Sequence, residues 1–219
     1  MAYTAEQSLS TIFLLSIVAL LVITTPLAGL GLWLGAKINL GTPLLTALLS
    51  RRPGARRQLV KDAVLAVGLG LVVGAFLWGL RIVTAPLLSP ELPELGHRGV
   101  VGGLLVSVSA AVAEEVWLRL GVMTILAWLF VRLLGHSDLL PKTAWSAIIL
   151  AALAFGLIHL PQLTAADAAT PIGIVATILG NMLVGTVCGW LYWQRSLIAA
   201  ILAHFSIDLV LHVLPALLG

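Results

Sequence analysis

The chain has 219 residues, 60% hydrophobic and 10% charged, and its mean hydropathy is +1.12. A water-soluble domain is roughly 45–50% apolar and about 25% charged, so the composition excludes one and calls for an all-α, polytopic membrane protein whose helices satisfy their own backbone in lipid. Twelve Lys and Arg against nine Asp and Glu give a net charge of +3 and a pI near 9.5, a surplus read as topology signal with no nucleic-acid partner implied.

Met1–Ser10 carries Glu6 and no Lys or Arg. It lacks the basic n-region of a signal peptide, so Thr11–Ala36 is read as a retained span. Six apolar spans of about 18 residues or more are expected, at 11–36, 62–88, 100–132, 143–160, 171–193 and 197–218, in a single membrane domain over 1–219. Ile38–Leu49, broken by Gly41 and Pro43, is too short to cross. The third span is too long: its 33 residues make about 50 Å of helix against a hydrocarbon core of about 30 Å. It is expected to start late at Gly102 and Gly103, to tilt, or to break near Glu114. The pairs Gly31/Gly35, Gly70/Gly74 and Gly185/Gly189 permit close helix packing. Cys188 is the lone cysteine; it forms no intrachain disulfide and is read as a small packing residue.

Loop charge sets the orientation. Lys37, Arg51, Arg52, Arg56, Arg57, Lys61, Arg132, Lys142 and Arg195 fall on one side, and the opposite loops hold only Arg98. Nine against one predicts both termini outside and the basic loops cytoplasmic. Trp33, Trp128, Trp145, Trp190 and Trp193 sit near the cytoplasmic ends, as an aromatic belt does; Trp117 lies deep instead.

The polar residues inside the spans are few. The third span holds Glu114, Glu115 and Arg119, the fourth His159, the fifth Asn181, and the last His204, Asp208 and His212. A carboxylate at bilayer depth costs on the order of 3 kcal/mol by insertion scales. Glu115 and Arg119 stand at i and i+4 and can pair on one face, while Glu114 is rotated about 100° away and is free to face a cavity. Asn181 and His212 are read as structural. At about 1.5 Å per residue, Glu114 lies about 27 Å from Arg132 and His159 about 25 Å from Lys142, so the two match in depth, nearer the outer leaflet. His204 lies only about 13 Å from Arg195 by the same count, so its helix must start deeper or tilt for the three to meet.

A carboxylate and an imidazole in a water-admitting pocket make a hydrolytic site: Glu114 takes a proton from water, His159 holds that water, and His204 donates to the developing oxyanion. No serine sits in a nucleophile elbow. His159, His204 and Asp208 also make a plausible zinc set, so a zinc-dependent membrane protease is an alternative. Two other classes compete. A non-catalytic scaffold or immunity protein would keep the cluster for helix association. A proton-coupled transporter would use it as a relay, although six spans without an inverted repeat are few for one.

Glu114-Glu115-x-x-x-Arg119, Phe155-x-x-x-His159 and His204-x-x-x-Asp208, in that order and each on its own span, resemble the three-motif signature of the CAAX-protease and bacteriocin-processing (CPBP, Abi) family. These are intramembrane endopeptidases that include the type II CAAX prenyl endopeptidase. The run from Gly185-x-x-x-Gly189 to Ser196–His204 is similar to the stretch before the family's third motif, and the resemblance covers about residues 100–212, the expected catalytic core. It implies a glutamic-type membrane hydrolase without a metal cofactor. Glu114 is then the catalytic base acting with His159, Glu115, Arg119 and Phe155 give support, and His204 with Asp208 forms the oxyanion site. The family often has asparagine at the last position, and an aspartate donates a hydrogen bond only when protonated; Asp208 could instead orient His204 or bind zinc. The expected partners are the lipid bilayer and a peptide or membrane-protein substrate. A leader peptide, bacteriocin precursor or small membrane protein is favoured over a prenylated one, in a bacterial or archaeal cytoplasmic membrane.

Overall fold

The computed structural model describes residues 9–219, with side chains from residue 17 onward except Ala19. Residues 1–8, including Glu6 of the outward-facing N-terminus expected above, lie outside this range. Among the described residues every regular element is helical. The helices are α1 (Leu9–Gly35), α2 (Pro43–Leu49), α3 (Ala55–Thr84), α4 (Gly99–Glu115), α5 (Thr124–Leu133), α6 (Pro141–Ile158), α7 (Leu160–Ala165), α8 (Pro171–Gln194), α9 (Leu197–Asp208) and α10 (Leu214–Leu218).

Five continuous helices are long and apolar enough to cross a membrane: Ala55–Leu87, Gly99–Leu133, Pro141–Ala165, Pro171–Gln194 and Leu197–Leu218. They coincide with the last five expected spans. The expected first span lies in α1, whose described stretch Leu20–Gly35 is apolar. Ile38–Leu49 becomes a turn followed by the short helix α2.

The long third span does not break at Glu114. It runs unbroken from Gly99 to Leu133 by widening into a π-helix over Val116–Met123. The last span does the same over Leu209–Val213, directly after Asp208. A π-turn shifts the backbone pairing from i+4 to i+5 and is frequent at functional sites. Thr124 secures the first one: its hydroxyl donates to the Arg119 carbonyl at 3.0 Å and meets the Tyr192 hydroxyl at 2.8 Å.

α9 is the centre of the bundle. It packs on α3, α4 and α8, while α6 packs on α8 and α5, and α1 on the π-segment of 116–123. Small residues set these distances. Gly70 and Gly74 of α3 face the backbone of α9 at Ala203 and Ile207, and Gly185 and Gly189 of α8 face Ala152 and Ile148 of α6. Gly31 of α1 abuts the Leu120 backbone. The expected packing role of all three glycine pairs includes Gly35, which faces Leu40. Cys188 is buried and free in this core. Trp117 is tied to α1, its indole N–H donating to Thr24 Oγ1 at 2.8 Å. Leu, Val, Ile and Phe side chains such as Val72, Phe76, Val101 and Leu105 cover the outside, as lipid-facing surface requires.

Local sequence chemistry fixes the helix ends near the site. Ser196 caps α9 by accepting from the Ala199 N–H at 3.1 Å, and Thr170 caps α8 through the Gly173 N–H at 3.1 Å. Pro161 has no N–H to continue the ladder of α6. The chain therefore turns at His159, whose own N–H bonds Gly156 rather than the carbonyl four residues back.

Candidate active site

Glu115 is fully buried and holds two groups. His204 Nδ1 donates to its Oε1 at 2.8 Å, and Arg119 Nη1 lies 3.1 Å from the same oxygen. Contact between α4 and α9 that the depth count left short is thus made by this bond, with α9 seated deep by its packing on α3. Arg119 also lies over the face of Phe155, its guanidinium carbon 4.9 Å from the ring centroid. The expected Glu115–Arg119 pair is present, and Glu115 does more than neutralise it: it fixes the ring of His204.

Phe155 is the buried spacer of the cluster. His159 meets it edge-on at 4.8 Å and His204 at 5.7 Å between ring centroids. The Phe155 carbonyl, released where α6 ends, accepts from His159 Nδ1 at 2.8 Å. In the neutral ring this leaves Nε2 of His159 as an acceptor.

Glu114 points away from Arg119, as its rotation along the helix predicts. Its Oε2 stands 3.8 Å from His204 Nε2, and Asp208 Oδ1 stands 3.8 Å from the same nitrogen. Asp208 also lies 4.0 Å from His212 Nε2. A cavity of about 430 Å³ collects Glu114, Phe155, His159, His204 and Asp208 on its wall. Leu77, Leu80, Leu88 and Leu92 contribute an apolar wall. All four expected catalytic side chains, from three separate helices, therefore share one cavity, with Glu115 and Arg119 behind it.

Several lining residues were given no site role from the sequence. Asn181 and His212, read above as structural, face the cavity, together with Gln162, Thr177, Arg81 and Arg98. For His212 a signal existed: it follows His204 and Asp208 at successive spacings of four, on one helix face. Asn181 donates to the Thr177 carbonyl at 2.9 Å, so part of its polarity is satisfied within α8.

Among the described residues no three His, Cys, Asp or Glu side chains are grouped to hold a metal ion. Nδ1 of His204 is engaged by Glu115 and Nδ1 of His159 by a backbone carbonyl.

Comparison with known proteins agrees with the motif resemblance. Residues 96–210, more than half the chain, match the family described as type II CAAX prenyl endopeptidase Rce1-like. Searches of curated proteins and of solved structures returned no match. With its apolar helices and its buried Glu–His cluster, the chain belongs to the Rce1-like family of type II CAAX prenyl endopeptidases, as a multi-pass membrane protease.

Proposed function

We propose that the cavity is the active site of a glutamic-type intramembrane endopeptidase that works without a metal, with its catalytic core over residues 100–212. The observation that carries this is the meeting of Glu114, His159, His204 and Asp208 on one largely apolar cavity.

The chemistry follows from the hydrogen bonds. Glu114 accepts a proton from a water, and His159 Nε2 accepts that water's other hydrogen and orients it. The water oxygen bonds to the scissile carbonyl carbon, whose π-electrons move onto oxygen. His204 Nε2 stabilises that oxyanion. Because Nδ1 already donates to Glu115, Nε2 can donate only from the imidazolium form. Asp208, a carboxylate 3.8 Å away, balances that charge and takes no donor role. Collapse of the tetrahedral intermediate breaks the C–N bond, and the amine leaves with the proton held by Glu114.

Glu114→Gln and His159→Ala are each expected to lower cleavage of a quenched fluorescent peptide panel by about 10²–10⁴-fold. Both should keep the wild-type elution volume in detergent. Cleavage retained in both variants would overturn the proposal.

A further inference from the structure

A second cavity of about 500 Å³ adjoins the catalytic one, extending between the 92–98 loop and α7. The two share His159, Gln162, Thr177, Arg98 and His212, so they form one forked space. His159 stands at the fork. Of the four proposed catalytic side chains it alone lines both branches, while Glu114, His204 and Asp208 line only the first. The branches differ in chemistry. Leu77, Leu80, Leu88, Ile207 and Leu211 line the first alone, and the exposed Glu94 and His97 line the second alone. Local sequence builds the second branch. Pro161 ends the ladder of α6, so α7 starts directly after His159. Ala165 and Ala166 present only methyl groups to the space. Arg81 Nη2, 3.4 Å from the Leu92 and Pro93 carbonyls, ties the loop to α3. Gly96, at φ +78° with the Ala216 backbone against it, seats the same loop on α10.

A hydrolase consumes one water for each bond it cuts. A substrate lying in the apolar branch displaces the water there, and the surrounding hydrocarbon supplies none. The nucleophilic water then needs a path that the substrate does not fill. The second branch has room for on the order of ten water molecules. It also has polar groups to hold them, and its wall includes the imidazole assigned to orient the water. We infer that this branch is an aqueous arm, which delivers the nucleophilic water to His159 and Glu114 while the substrate occupies the apolar branch. The delivery role rests on the proposed peptidase function; the aqueous character of the arm does not.

The test adds one thiol to the full chain, whose native Cys188 is buried. Ala165→Cys and Ala166→Cys place it in the second branch, Ala176→Cys in the first, and Val101→Cys on the apolar exterior. Each variant is labelled with a methanethiosulfonate nitroxide and reconstituted in lipid bilayers. At 165 and 166, collisions with a water-soluble nickel chelate are expected to exceed those with oxygen, the reverse of position 101. Oxygen-dominated collisions at both would mean a lipid-filled space and overturn the inference. Cleavage of the best-cut peptide of the quenched panel is then compared, within each variant, before labelling, after it, and after a reductant releases the label. Labels at 165 or 166 should lower kcat by about tenfold and change KM by less than about twofold, reversibly, whereas the label at 176 should raise KM. A raised KM with unchanged kcat at 165 and 166, or no change in either constant, overturns the water route. An aqueous arm in a protein that cuts none of the peptides supports the arm and counts against the peptidase reading.

Discussion

Glu114 and Glu115 are neighbours in the chain with opposite surroundings. Glu115 is sealed between Arg119 and His204, whereas Glu114 faces the cavity. Removing a partner from a buried ion pair leaves an uncompensated charge at a cost of about 3–5 kcal/mol. Arg119→Met should therefore lower the unfolding midpoint in detergent markedly, while Glu114→Gln should leave it near wild type and remove activity. Asp208 permits a sharper discrimination. If it balances the charge on His204, Asp208→Asn, the residue common in the resembling family, should lose most cleavage as Asp208→Leu does, since neither side chain carries a charge; an Asn variant that keeps cleavage would show that a hydrogen-bonding side chain suffices there. The grouping of these residues was legible because polar side chains inside apolar spans are rare. The ring-fixing role of Glu115 was not, because it depends on a contact across 89 positions of sequence.

At the scale of elements, α9 decides where His204 stands, and α3 decides where α9 stands. A Cβ added at Gly70 would meet the Ala203 carbonyl oxygen at 2.5 Å and Ser206 Cβ at 2.7 Å. Gly70→Ala should force α3 and α9 apart, at a typical overpacking cost of about 1–3 kcal/mol. A lower unfolding midpoint together with reduced cleavage is expected; an unchanged midpoint would mean that the helices adjust freely. The span limits and glycine contacts were readable from hydropathy and spacing. The π-segments after Glu115 and Asp208 were not, since an apolar run has the same hydropathy whether its backbone pairs at i+4 or i+5. The overlong third span was the visible symptom, and widening rather than breaking was the outcome.

Across the whole molecule, the apolar exterior, the basic turns at one end and the cavity at the other form one arrangement. Its lower walls were implicit in the three motifs. The 88–98 connection and α7 also line it, through Leu88, Leu92, Leu95, Arg98 and Gln162; their composition carries no catalytic pattern and their place depends on tertiary packing. The central claim is that a carboxylate and two imidazoles, without a metal, hydrolyse a peptide bond inside this bundle. Its most direct test is cleavage of the fluorescent peptide panel by purified protein in detergent, with and without a strong chelator, and with Glu114→Gln as the blank. Activity that survives chelation and vanishes in the variant is the predicted result. Activity abolished by the chelator and restored by zinc would contradict it.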